Sequence, residues 1–343
     1  MGKYFGTDGV RGVAGADLTC EMAMLIGRGA AAVLTSSTGH KPRILIGKDT
    51  RQSGDMLEAA LTAGLCSVGA DVESLGVVPT PAVAYLVRKY NADAGVVISA
   101  SHNPMEFNGI KIFAGTGYKL PDEVENKIEA YIDNQCAGLK LATGDDVGRV
   151  TYRTDGIKDY ADHLYESING DLSGLNVCID CANGASAAVA RKLFPRLGAK
   201  CTFIGVEPDG KNINAGVGST HLDNLEKAVI EGGFDCGIAF DGDADRCLAC
   251  DEKGQEIDGD KVIALLAMNM KERVVWTAIL RSSPSCPTWA SSSLWSARGS
   301  TPRRPPSATA MFSRTCGRTA MPSAASRAAM SSCSTTPPPV TVS

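Results

Sequence analysis

The stretch Gly95-Val96-Val97-Ile98-Ser99-Ala100-Ser101-His102-Asn103-Pro104 limits what this chain can fold into more than any other. Val96, Val97 and Ile98 form a short, unbroken run of β-branched residues, which suits a strand covered on both faces. Such a strand belongs to a sheet flanked by helices on both sides. Pro104 disfavours a helical conformation at Asn103, so the chain turns there. Ser101 then sits just beyond the strand's carboxyl end, where open α/β sheets bind ligands. Taken alone, the turn also fits a polar closure of a strand. Three companions favour chemistry: His102 beside the hydroxyl, Lys111 shortly downstream, and an aspartate loop at Asp241.

That loop is Phe240-Asp241-Gly242-Asp243-Ala244-Asp245-Arg246, preceded by the short buried-strand pattern Cys236-Gly237-Ile238-Ala239. Three carboxylates at alternate positions repel one another unless a cation lies between them. Gly242 and Ala244 are small enough for the backbone to curl and bring all three together. Oxygen ligands without His or thiolate select Mg²⁺ or Ca²⁺. A calcium loop of the EF-hand type would place Glu252 at its twelfth position, but Arg246 stands where the sharp turn needs Gly, and the flanks read as strands. A solvated acidic turn without metal is the remaining bland reading.

These residues together point to phosphoryl transfer. A serine hydroxyl is a poor nucleophile alone but a good phosphate carrier. Asp241, Asp243 and Asp245 are expected to hold one Mg²⁺, with an oxygen of phosphorylated Ser101 as a further ligand. Arg246 adjoins the metal and can contact the same phosphate. Arg11 lies at the centre of a glycine-rich stretch, residues 1–16, and its guanidinium suits phosphate oxygens. Lys111 or His102 is expected to serve as general acid or base for the acceptor hydroxyl, and the residues themselves do not separate the two.

Ser99-Ala100-Ser101-His102-Asn103-Pro104, with Asn108-Gly109-Ile110-Lys111 close behind and Asp241-Gly242-Asp243-Ala244-Asp245-Arg246 downstream, resembles the α-D-phosphohexomutase superfamily. The start, Tyr4-Phe5-Gly6-Thr7-Asp8-Gly9-Val10-Arg11-Gly12, and Ile46-Gly47-Lys48-Asp49-Thr50-Arg51-Gln52-Ser53-Gly54 are similar to its bacterial phosphoglucosamine mutase branch. The likeness covers about residues 1 to 272. It implies an enzyme that interconverts glucosamine 6-phosphate and glucosamine 1-phosphate, with phosphoserine at Ser101 and a sugar 1,6-bisphosphate as activator and intermediate. It also implies that the Arg11 loop lies beside the phosphoserine, and it favours Lys111 as acid/base with His102 as orienter. The family's G-E-x-S-G-H and R-x-S-G-T type motifs are missing after Glu272, which puts turnover by this chain in doubt. The rivals are a phosphoglucomutase/phosphomannomutase, a Mg²⁺ phosphatase with its phosphate on Asp241, and a non-catalytic remnant.

Strand-like and helix-like segments alternate along the chain, predicting tandem α/β domains with mixed, largely parallel sheets and helices on both faces. Helices are expected over 18–34, 53–68, 124–136, 157–168, 222–231 and 261–270, and Asn108-Gly109 reads as a turn before a strand at 110–113. The expected domains are 1–148 with the phosphoserine loop, 149–257 with the metal loop, and 258–272 as the start of a third. From Arg273 to Ser343 there is no Asp, Glu, Lys, His, Asn, Gln or Tyr, whereas nine of the 16 prolines and all three tryptophans fall there. Ser, Thr, Pro, Ala, Arg and Cys are what a GC-rich gene yields out of frame, so residues 273–343 are expected to be an aberrant, frameshifted and disordered tail rather than the family's later domains. A net charge of -4 does not favour nucleic acid, and no apolar run approaches the ~18 residues that span a bilayer. The expected partner is a small phosphosugar, without nucleic acid or membrane, in the cytoplasm; the oligomeric state is not legible. Twelve cysteines include the C-x-x-C pairs Cys178/Cys181 and Cys247/Cys250, but in strands residues three apart point to opposite faces, which argues against zinc.

Overall fold

The computed structural model describes residues 3–6, 8–168 and 170–272. The apolar run forms β4 (Ala94–Ile98), and all five of its residues are buried. On one side it pairs in parallel with β2 (Arg43–Lys48), which pairs in parallel with β3 (Asp71–Val77), which pairs with the edge strand β6 (Val150–Tyr152). On its other side lie β5 (Phe107–Ala114) and then β1 (Val10–Val13), each antiparallel to its neighbour. The sheet order is β1-β5-β4-β2-β3-β6.

The two-residue period of the strands decides what each helix covers. Ile44, Ile46, Val96 and Ile98 pack with Ile26, Leu57, Leu61 and Ile128 from α1 (Cys20–Thr38), α2 (Ser53–Ser67) and α4 (Asp122–Asp133). Leu45 and Val97 point the other way, onto Val83, Leu86 and Val87 of α3 (Thr80–Lys89). Thr19 caps α1 as its sequence predicts, accepting from the Met22 N–H at 3.2 Å.

A second sheet has the order β11-β10-β9-β7-β8. Its parallel core is β7 (Asn176–Asp180), β8 (Lys200–Ile204) and β9 (Cys236–Phe240), and β10 (Cys247–Asp251) and β11 (Glu256–Ile257) extend it antiparallel. Leu193 of α6 (Ala187–Arg196) covers one face, and Leu225 and Val229 of α7 (Asp223–Gly232) cover the other. Between the sheets runs α5 (Gly156–Ser167), with Tyr160 and Ala161 in the core of the first and Tyr165 against that of the second. The last described element is α8 (Gly259–Glu272).

Asn108-Gly109 does not form the expected turn. Both residues lie inside β5, where Asn108 is buried and donates to the Ser53 Oγ at 2.9 Å. Glycine is needed there for close approach, since a Cβ on Gly109 would lie 2.7 Å from the Ser99 carbonyl oxygen. The fourth helix begins at Asp122, behind Pro121, and ends at Asp133; Gln135 and Cys136, expected to be helical, have positive φ. The strand Val150–Tyr152 lies past the expected boundary at residue 148 yet belongs to the first sheet. Cys178 and Cys181 join cores on opposite faces of the second sheet, and no disulfide forms among the described cysteines. The expectation for residues 273–343 lies outside the described residues. Among the described residues no helix is long and apolar enough to cross a membrane.

Candidate active site

The carboxyl ends of β4 and β9 face each other. Ser101 stands in the connection from β4 to β5, buried, with φ at 55°. An L-residue rarely adopts that conformation, and it is held here by local hydrogen bonds. The Ser101 N–H donates to the Ser99 Oγ at 2.9 Å. The Ser101 hydroxyl donates to Asp241 Oδ2 at 2.5 Å and lies 3.4 Å from Asp245 Oδ1.

The aspartates lie in the turn from β9 to β10, and Ala244 bends it with a φ of 57°. Asp241, Asp243 and Asp245 each bring a carboxylate oxygen within 4.8 Å of the others. Gly242 makes this approach possible, because a Cβ there would meet the Ser101 carbonyl oxygen at 2.8 Å and Asn214 Nδ2 at 2.9 Å. Burial, and then the charges of Asp243 and Asp245, push the Asp241 carboxyl well above the usual carboxylate range. Burial and Asp243 push Asp245 up as well. Burial acts on Asp243 in the same direction, but Lys111 and the Thr80 hydroxyl outweigh it and hold this carboxyl low. Asp243 Oδ1 is buried without a hydrogen-bond partner. Three converging carboxylates, two of them costly to ionise together, and an unsatisfied oxygen fit a hard divalent cation. Between two strands rather than two helices, this loop is not an EF-hand.

Lys111 lies on β5 opposite Val97 of β4, and this register carries its side chain to the aspartates. Its Nζ is 3.5 Å from Asp245 Oδ2 and 3.8 Å from Asp243 Oδ2. His102 follows Ser101. Burial, then the positive charges of Arg246 and Arg11, lower its imidazole below the usual histidine range, so it is neutral at neutral pH. Its Nδ1 is buried without a partner. Arg11 lies 3.4 Å from Asp8 through Nη1, while its Nε and Nη2 are buried and unpartnered. Arg246 is exposed, donates its backbone N–H to Asp241 Oδ1 at 3.1 Å and places Nε 3.8 Å from Asp245 Oδ1. The structure thus joins Ser101, the three aspartates and Lys111 by contact, with His102, Arg11 and Arg246 around them.

Four further residues hold this arrangement without having been assigned a role from sequence. Arg51 and Asp49 form an ion pair with both side chains at 0% exposure. The Arg51 guanidinium donates to the carbonyls of Ser101 at 3.2 Å and Asn103 at 2.5 Å. Asn214 Nδ2 donates to the same two oxygens, at 2.9 and 3.2 Å. Thr80 donates its hydroxyl to Asp243 Oδ2 at 2.6 Å. The Asp49-Thr50-Arg51 motif was visible in the sequence. Thr80 stands between Pro79 and Pro81, and Asn214 in the polar, glycine-containing stretch 212–221, and neither position alone signals a role.

The profile for phosphoglucomutase/phosphomannomutase alpha/beta/alpha domain I matches residues 2–137, and that for domain II matches residues 158–254. The chain is 57% identical over 273 residues to a phosphoglucosamine mutase of Acetivibrio thermocellus, which covers 80% of this chain and 61% of that one. It is 56% identical over 272 residues to a phosphoglucosamine mutase of Clostridium tetani, covering 79% of this chain and 60% of the other. A crystal structure of a phosphoglucomutase/phosphomannomutase family protein from Burkholderia thailandensis superposes with a TM-score of 0.67 at 26% identity, covering 79% of this chain and 59% of that one. The chain therefore spans about 61% of the length of the first of these curated relatives.

Proposed function

This chain belongs to the phosphoglucomutase/phosphomannomutase family, and from that premise we propose that it carries the phosphoryl-transfer centre of a phosphoglucosamine mutase, which interconverts glucosamine 6-phosphate and glucosamine 1-phosphate. The observation that carries the reading is the Ser101 hydroxyl 2.5 Å from Asp241 Oδ2, inside a cluster of three carboxylates, Asp241 and Asp243 buried and Asp245 half-buried, between two sheets. A hydroxyl placed so becomes a phosphate carrier beside a cation site rather than a nucleophile toward solvent.

Asp241, Asp243 and Asp245 would hold Mg²⁺, which when bound supplies positive charge at the transferring phosphoryl group. In the forward half-reaction a hydroxyl oxygen of the sugar phosphate attacks the phosphorus on Ser101. The new P–O bond forms as the bond to Ser101 Oγ breaks, and the sugar becomes a 1,6-bisphosphate. The sugar hydroxyl gives up its proton through Lys111 and the departing Ser101 Oγ takes one up, leaving the serine as the neutral hydroxyl that donates to Asp241, while neutral His102 orients the sugar oxygen. Arg11, with two unpartnered buried nitrogens, and Arg246 neutralise the phosphate oxygens. The reverse half-reaction returns the other phosphate to Ser101 and gives the proton back. Burial of Ser101 limits access of water to the phosphoserine.

The test is incubation of the 343-residue chain, freed of phosphate, with glucose 1,6-bisphosphate and Mg²⁺, followed by phosphopeptide mass spectrometry. Phosphate on Ser101, lost in Ser101→Ala, is the expected result. Phosphate on Asp241, or none on any residue, overturns the reading.

A further inference from the structure

The two reactive loops are each held by the sheet unit that does not own them. The Ser101 loop grows from the first sheet, and Asn214, from a loop of the second unit, donates to the carbonyls of both Ser101 and Asn103. The aspartate loop grows from the second sheet. Thr80 opens α3 of the first unit, and grips Asp243 twice: its N–H donates to the Asp243 carbonyl at 2.9 Å and its hydroxyl to Oδ2 at 2.6 Å. Two plainer bonds cross the same seam, from the Thr50 hydroxyl to the Asn183 carbonyl at 2.6 Å and from the Gln52 N–H to the Gly210 carbonyl at 2.9 Å. Thr80 and Asn214 are themselves buried.

We propose that Thr80 and Asn214 are positioning residues that form a reciprocal latch. Thr80 orients the Asp243 carboxylate, engaging Oδ2 and presenting the unpartnered Oδ1 to the cation. Asn214 fixes the carbonyls on either side of His102, and with them the turn that aims the Ser101 hydroxyl at Asp241. A partner that orients a metal ligand in this way tunes the site without touching the metal. Neither residue touches the reacting atoms. Closing the seam and assembling the site are then one event, because each loop takes its working shape only against the opposite unit. The cation arm of this proposal rests on the Mg²⁺ reading given above; the conformational arm does not.

The experiment compares the full chain with Thr80→Val, Thr80→Ser and Asn214→Asp. Hydrogen exchange followed by mass spectrometry reads the loops, and titration calorimetry with MgCl₂ reads the cation site. Thr80→Val keeps the shape of the side chain and removes its donor. It is expected to speed exchange across residues 241–246 by about tenfold, the loss of one ordinary hydrogen bond, with the strands β2 and β7 unchanged. It is also expected to weaken Mg²⁺ by about tenfold, with Thr80→Ser restoring both. Asn214→Asp turns a donor into an acceptor facing two carbonyls and is expected to speed exchange across residues 99–103. Unchanged exchange in the opposite loop, or a uniform rise across all strands, overturns the latch. If the unaltered chain binds no Mg²⁺, the metal reading fails, and the exchange pattern still decides the latch.

Discussion

Replacing Arg51 by Met tests the buried frame beneath the Ser101 loop. Arg51 and Asp49 are both fully buried, and the Arg51 guanidinium donates through Nη2 to the Ser101 and Asn103 carbonyls while its Nε is buried without a partner. Methionine fills much of the same volume but leaves the Asp49 carboxylate without its cation. Removing one partner of a buried ion pair costs ~3–5 kcal/mol, because the other charge stays buried and uncompensated. The two carbonyls add little to this, since Asn214 still donates to both. For a folded unit of this size each kcal/mol moves Tm by ~2–4 °C, so Arg51→Met should melt about 6–20 °C below the unaltered chain. The loss has a definite pH dependence. Burial already raises the Asp49 carboxyl above its ordinary value of 3.8, with Arg51 acting against it. Without Arg51 the folded-state value rises further, so the folded chain holds a proton that the unfolded chain has released. Stability of the variant therefore falls as pH rises from the ordinary aspartate range toward neutrality, and the deficit is smallest in acid. Melting curves read by circular dichroism from pH 5 to 8 measure both effects. The double variant Asp49→Asn/Arg51→Met, with no orphaned charge, should recover most of the loss. Melting of Arg51→Met within about 3 °C of the unaltered chain, roughly 1 kcal/mol, would refute the reasoning, as would a double variant no better than the single one.

Asp243→Ala removes an anionic ligand and leaves Asp241 and Asp245 facing each other, so Mg²⁺ affinity measured by titration calorimetry should fall at least ~100-fold, the scale at which even outer partners of a ligand matter. Lys111→Met should abolish transfer of phosphate to Ser101 while His102→Gln only slows it; the reverse order, read by intact-mass kinetics, would exchange their roles. Gly242→Ala pushes a methyl group into the Ser101 carbonyl and Asn214, and should lower Tm and Ser101 phosphorylation together. His163, stacked on Tyr85 at 3.9 Å, has its imidazole lowered by burial and by Arg88. The unfolded chain then binds a proton that the folded chain refuses, so stability is lost as pH falls through about 6.5, and His163→Gln should flatten that acid-side decline in Tm.

Much of the scaffold was legible because strand and helix periods differ. Val96-Val97-Ile98 and Cys236-Gly237-Ile238-Ala239 formed strands where the sequence places them, as the cores of β4 and β9. The aspartate loop was legible because three carboxylates at alternate positions have few structural uses. Asn108-Gly109 misled because the dipeptide that favours a turn also suits close backbone contact inside a strand, and only the neighbouring Ser53 and Ser99 distinguish the two. Arg51 stood in a visible motif without an assigned role, and Thr80 and Asn214 carried no positional signal. Their contacts link residues about 50, 163 and 113 positions apart, and nothing in a local pattern encodes such a distance.

The two loops of the site share an origin that explains their rigidity. In the first sheet the parallel core gives way to antiparallel strands between β4 and β5, and the Ser101 loop is the connection at that point. In the second sheet the same change occurs between β9 and β10, and the aspartate loop is the connection there. A parallel neighbour requires a crossover helix, which leaves a loop anchored to a strand at one end only. An antiparallel neighbour anchors the loop at both ends, here by Ile98 paired with Ile110 and Phe240 paired with Cys247. Both loops hold positive φ, at Ser101 and at Ala244. The same ladder brings Lys111 to the aspartates, because its register opposite Val97 is fixed by the strand and not by the turn. Each loop thus receives its shape from its own sheet and its alignment from the opposite one, which is why a hydroxyl and three carboxylates far apart in sequence meet within hydrogen-bonding distance.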